Sequence, residues 1–86
     1  MHVLIMPAAA ATLESIPEKI REQIIRRAIA LGDDPRPRGM EKLEGERYYR
    51  VRQGNHRIVY DIGDVISVVG IYDRKNAYKK KARRGR

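Results

Sequence analysis

The sequence predicts an α+β domain in which an antiparallel sheet carries a helical hairpin on one face. Three observations predict it. Residues 47–72 form three runs of strand-like alternation, separated by Gly54-Asn55 and Gly63-Asp64, both two-residue Gly-X connections of the type II′ hairpin kind. Residues 17–31 repeat apolar side chains at helical spacing. The opening "MHVLIM" is a short apolar run, too short to span a membrane, and it reads as a first strand. The predicted order is β-α-α-β-β-β(-α), a single domain over residues 1–82 followed by a basic, disordered tail at 83–86. With 86 residues in all, one small core is possible and a second domain is not.

Each element has its own local reason. Pro7 ends the first strand, and "AAAATLESI" starts a short helix whose Ala9, Leu13 and Ile16 share a face. Ser15 and Glu18 have capping-box spacing, with Ser15 as N-cap and Pro17 near the first helical position of a second helix. That helix runs from about Pro17 to Leu31. Ile20, Ile24, Ala28 and Leu31 form its apolar stripe, Ile25 and Ile29 widen it, and Gly32 stands just past its end. Residues 33–46, with two prolines and two glycines, read as a loop. Strands follow at about 47–53, 56–62 and 65–72. Residues 74–82 are compatible with a further helical turn or two.

Charge narrows the choice of partners. The net charge is +8, yet residues 1–45 carry seven basic and seven acidic residues, so the whole excess lies in residues 46–86. Such asymmetry points to a polyanionic partner for the second half. The chain has no cysteine, which removes disulfides and thiolate zinc sites from consideration. There is no Gly-rich phosphate loop, metal-ligand cluster or Ser/His/Asp arrangement, so neither metal nor cofactor is expected. With no cationic leader and no long apolar segment, the expected location is the cytoplasm, away from membranes.

The turns predict which way the arginines of "YYRVRQGNHRIVYDI" point. A two-residue loop at Gly54-Asn55 sets Arg52 opposite Arg57, Val51 opposite Ile58, Arg50 opposite Val59 and Tyr49 opposite Tyr60. Side chains alternate along strands. Tyr49, Val51, Ile58, Tyr60 and Ile62 therefore face the helices, and Arg50, Arg52, Arg57, Val59 and Asp61 face away. A two-residue loop at Gly63-Asp64 would set Arg57 opposite Gly70 and Val59 opposite Val68. Tyr72 and Arg74 would continue on the arginine face, with open space at Gly70. Like charges directly opposite one another weaken a sheet. Guanidinium groups that share a face suit phosphate, which they bind bidentately while staying charged. His56, without a serine, cysteine or metal partner, reads as structural. Tyr48, Tyr49, Tyr60 and Tyr72 read as core or sheet-edge packing.

The same residues carry a resemblance. The element order and the pattern "KLEG…YYRVRQGNHRIVYDI…VVGIYDRKNAY" resemble the RelE/ParE superfamily of bacterial toxins over residues 2–78, most closely its RelE-like branch. The most specific parts are "YRVR", "NHRIVY" and "DRKNAY". The resemblance implies a RelE-like fold and a type II toxin–antitoxin toxin that cuts messenger RNA in the ribosomal A site, by attack of a 2′-hydroxyl on the adjacent phosphate. It implies a cognate antitoxin, the ribosome with its 16S rRNA, and mRNA as partners. It places the catalytic residues at Arg50, Arg52, Arg57, Arg74 and Tyr78. Lys75, Lys79, Lys80, Lys81, Arg83 and Arg84 would then contact RNA or the ribosome. Asp73 stands where many relatives have histidine, which leaves the proton acceptor open among Tyr78, Glu44 and Glu46. The alternative within the superfamily is a ParE-like inhibitor of DNA gyrase without nuclease activity.

Overall fold

The structure, a computed structural model, describes residues 1–43, 45 and 47–73. The chain begins with strand β1 (Val3–Ile5) and two helices, α1 (Pro7–Glu14) and α2 (Glu18–Ala30). Four strands follow: β2 (Glu41–Lys42), β3 (Tyr49–Gln53), β4 (His56–Ile62) and β5 (Ile66–Asp73). They form one sheet in the order β1-β5-β4-β3-β2. β3, β4 and β5 pair antiparallel, as expected; β2, within the segment read as loop, adds antiparallel to β3, and β1 lies parallel to β5 at the other edge and makes the sheet mixed. The parallel pairing follows from the helical hairpin, which supplies the crossover such a pair needs.

Both helices pack on one face of the sheet, α1 on β5 and α2 across β3 and β4. The core between them holds Ala9, Leu13, Ile16, Ile24, Ala28, Leu31, Val51, Ile58, Tyr60, Ile66, Val68 and Ile71. The α2 stripe is narrower than its spacing suggests. Ile24, Ala28 and Leu31 are buried, whereas Ile20 and Ile29 remain exposed. Pro7 opens α1 at its first position, where a missing N–H costs nothing.

The predicted capping box does not form. Ser15 closes α1 instead: its backbone N–H and its hydroxyl both donate to the Thr12 carbonyl, at 3.0 and 2.7 Å. Pro17 takes the N-cap place of α2 and makes no side-chain cap. Gly32 follows α2 as expected, for a different reason than a left-handed turn. A side chain there would run into the Met1 carbonyl and Val3.

The first hairpin has the expected register in full, Tyr49 opposite Tyr60 through Gln53 opposite His56. Gly54 has φ +61, and it is the only residue of the pair with positive φ, as a type II′ turn requires. The second hairpin differs. Gly63 is not in the left-handed region, its N–H donates to the Val65 carbonyl at 3.0 Å, and Ile62 pairs with Ile66 across a three-residue connection. A bulge then places Val69 as an extra residue between the pairs Tyr60–Val68 and Val59–Gly70. Arg57 therefore faces Tyr72 instead of Gly70, and Val59 faces Gly70 instead of Val68. Val68 belongs to the core.

Tyr60 is the largest fully buried side chain. Its hydroxyl donates to the Pro35 carbonyl at 2.7 Å, tying the loop after α2 to the sheet. Burial pushes its pKa above the usual tyrosine value. Its stabilising contribution is full below pH about 10, where the unfolded phenol ionises, and declines as the pH rises through the higher folded value. Tyr60→Phe is expected to cost about 0.5–1.5 kcal/mol in urea denaturation. Ile58→Ala, which empties the core, should cost about 2–5 kcal/mol. Arg57→Ala, on the opposite face, should change stability by less than about 0.5 kcal/mol.

Candidate functional site

The face of the sheet away from the helices carries the arginines. The ladder sets out two adjacent rows. Glu41, Arg50, Val59 and Gly70 stand opposite one another across β2, β3, β4 and β5. Arg52, Arg57 and Tyr72 form the next row. Arg52 thus directly faces Arg57, the unfavourable like-charge pair read from the sequence. A pocket of about 230 Å³ lies over this region, lined by Gly39, Glu41, Arg50, Val51, Arg52 and Arg57. A smaller one of about 50 Å³ lies beside it at the turn, lined by Arg52, Gly54, Asn55, His56 and Arg57.

The residue that sequence reasoning missed is Glu41. Its carboxylate accepts from Arg50 through Nε at 2.7 Å and Nη2 at 2.5 Å. The hydrogen bond and charge of Arg50 hold its carboxyl below the usual range, and the charges of Arg52 and Arg57 act in the same direction. Glu41 reaches this position because β2 adds to the edge of β3, a pairing of two residues inside a segment that reads as loop. At neutral pH the cluster therefore contains its own counterion. Asp61, on the same face, is taken by Arg47 at 2.6 Å. It leaves the three arginines to Glu41.

His56 lies at the start of β4 and lines the smaller pocket. It stands opposite Asp73, with Nε2 3.7 Å from the Asp73 carboxylate, where β5 ends beside β4. Tyr49 stacks obliquely on Tyr60, ring centroids 5.8 Å apart, and Arg36 covers Tyr49 at 5.7 Å. The expected open space at Gly70 is absent: the Tyr72 ring occupies it. Arg74, Tyr78, Lys75, Lys79, Lys80, Lys81, Arg83 and Arg84 lie outside the described residues, as do Glu44, Glu46, the further helical turn and the tail.

A helical hairpin on one face of a five-stranded sheet, with the basic face left open, defines a RelE-like toxin architecture. The family model of the ParE toxin of type II toxin–antitoxin systems, parDE, matches residues 3–78, and the chain belongs to that family, within the RelE/ParE superfamily. No curated protein matches it. Among solved structures, the archaeal RelE–RelB complex of Pyrococcus horikoshii is similar at 27% identity and a TM-score of 0.74, covering 85% of this chain and 93% of that one. The RelBE2 toxin–antitoxin complex of Mycobacterium tuberculosis matches at 23% identity and a TM-score of 0.76, covering 85% and 90%. The isolated RelE toxin of E. coli matches at 21% identity and a TM-score of 0.71, covering 96% of each chain. The latter two share the fold.

Replacing Glu41 with Gln is expected to release Arg50. Binding of a short single-stranded RNA should then tighten, and the plot of log affinity against log salt should steepen by about 0.7, the contribution of one added phosphate contact. In the unaltered chain the same tightening should appear only as the pH falls through the lowered Glu41 value, below about 4.5. Binding titrations at several salt concentrations and pH values check both.

Proposed function

We propose that this toxin is a ribosome-dependent mRNA endoribonuclease of the cytoplasm, neutralised by a cognate antitoxin. The observation that carries the reading is the placement of Arg50, Arg52 and Arg57 on one rigid, solvent-open sheet face around a pocket of about 230 Å³. Backbone pairing holds these positions in register without help from the side chains, which keeps the three arginines together on one face for a phosphate. RelE proteins solved in complex with RelB proteins are among its structural relatives, which supports the antitoxin partner. No helix of the described residues is long and apolar enough to cross a membrane.

In this reading the scissile phosphate displaces Glu41 from Arg50. The 2′-oxygen forms a bond to phosphorus as the bond from phosphorus to the 5′-oxygen breaks. The products are a 2′,3′-cyclic phosphate and a 5′-hydroxyl. Arg50, Arg52, Arg57 and Arg74 stabilise the negative charge that builds on the phosphorane. Arginine stays protonated and accepts no proton, so the 2′-hydroxyl proton goes to a carboxylate. Glu41 fills that role: once Arg50 has turned to the phosphate, the largest of the interactions that hold its pKa down is gone and its basicity rises. The 5′-oxygen takes its proton from solvent. Tyr78 orients the substrate. Lys75, Lys79, Lys80, Lys81, Arg83 and Arg84 contact ribosomal RNA through a salt-sensitive phosphate interaction. A reaction that rests on positioning and charge stabilisation suits an enzyme whose substrate is presented by the ribosome.

A second reading, inhibition of DNA gyrase, is favoured by the match to the ParE family model. The two part in cell-free translation followed by primer extension. Cleavage of the message only when ribosomes are present is the expected result, with Arg57→Ala and Arg74→Ala lowering its rate about a hundred- to a thousand-fold. Glu41→Gln should also slow cleavage while tightening RNA binding, a combination that a purely structural glutamate does not produce. Intact message together with accumulated gyrase–DNA cleavage complexes would decide for the second reading.

A further inference from the structure

One large side chain on the open face is used neither by the core nor by the arginine pocket. Tyr72 is 45% exposed. It stands directly opposite Arg57, which stands opposite Arg52, so ring and guanidinium groups share one row across strands spaced about 4.8 Å apart. The ring folds back over Gly70, two residues earlier on the same face. A Cβ at Gly70 would lie 2.6 Å from the tyrosine Oη, 2.7 Å from Cε2 and 2.8 Å from Cζ. The phenol end of the ring therefore occupies the space that any side chain at position 70 would need. Among the described residues the side chain of Tyr72 makes no hydrogen bond and no ring contact: the cation–π pairs there are Arg36 with Tyr49 and Arg47 with Tyr48. The ring is thus seated over Gly70 at its phenol end, partly exposed to solvent, and one strand away from Arg57.

Leaving an aromatic ring in water forgoes the stabilisation its burial would bring. The position makes sense where an external flat group completes the contact. A nucleobase is joined to its phosphate by a single sugar, so a phosphate held by Arg52 and Arg57 brings its base within reach of the neighbouring strand. Every base has a π-face that stacks on tyrosine. We propose that Tyr72, seated on Gly70, is the stacking platform for one nucleobase of the RNA strand whose phosphate the arginine row holds. The inference rests on the nuclease reading above. Because the contact is made to the base face and not to its edges, the platform distinguishes bases by stacking area, favouring a purine at that position without reading one base pattern.

The test uses the full chain with ribosomes programmed by messages that carry an abasic nucleotide at one A-site position at a time, with cleavage followed in single turnover. For the unaltered toxin, removing the base at one position should slow cleavage about 10-fold, the scale of one lost stacking contact. Tyr72→Leu, which still covers Gly70 but lacks a π-face, should slow cleavage of the intact message by the same factor. It should also be indifferent to base removal at that position. Tyr72→Phe and Tyr72→Trp should stay within about 3-fold of the unaltered toxin. An unaltered toxin indifferent to every base removal overturns the platform, and that arm requires no variant to fold. So does a Tyr72→Leu variant that cuts the intact message at full rate or suffers the whole abasic penalty on top of its own. If the unaltered toxin leaves every message intact, the nuclease reading itself fails, and the platform with it.

Discussion

Gly54 and Asn55 decide which way the side chains of β3 and β4 point. A loop of two residues, made possible by the positive φ of Gly54, leaves no freedom in the pairing that follows. Val51 meets Ile58 on the helix side, and Arg52 meets Arg57 on the other. A slip by one residue would exchange the two faces, sending arginines under α2 and Tyr60 into water. Burying unpaired guanidinium groups is far too costly for a core of this size. The hydrophobic core and the arginine face are therefore two results of one geometric constraint. The core enforces the register that the site requires.

That constraint is local in sequence, which is why this part of the molecule was legible. The turn, the alternation and the positions of Arg50, Arg52 and Arg57 all lie within fifteen consecutive residues. The buried members of the helical stripe, Ile24, Ala28 and Leu31, were legible for the same reason. Ile20 and Ile29 fit the same period and are exposed, since periodicity gives the direction of a face but not the width of what it meets. Ser15 satisfied the spacing of a capping box, yet its hydroxyl found the Thr12 carbonyl of its own helix first. Glu41 was not legible: a strand of two residues exists only because β3 offers it an edge, and nothing within residues 33–46 announces that. The second hairpin misled because Gly63 needs no left-handed conformation there, so a glycine that resembled a turn signal set no register.

Glu41 also explains how the sheet tolerates its own charge. Arg52 and Arg57 face each other directly, and Arg50 is in the neighbouring row. In the isolated protein, one carboxylate held firmly by Arg50 and felt by the other two arginines offsets part of this repulsion. The same carboxylate occupies the place of an anion. In the proposed function, a multivalent anion would take the place of this resident carboxylate on a backbone already set around negative charge.

The bulge at Val69 carries a consequence of another kind. Before it, Ile66 and Val68 point to the helices; after it, Ile71 does. The extra residue inverts the odd-even rule along the strand, so its two halves obey opposite parity. Deleting that single position would remove the bulge and leave Gly70, Ile71 and Tyr72 opposite Val59, Ile58 and Arg57, on the faces they hold now. The terminal part of β5 thus takes its orientation from its pairing with β4, and the bulge is a place where the strand can lose a residue without changing what either face presents.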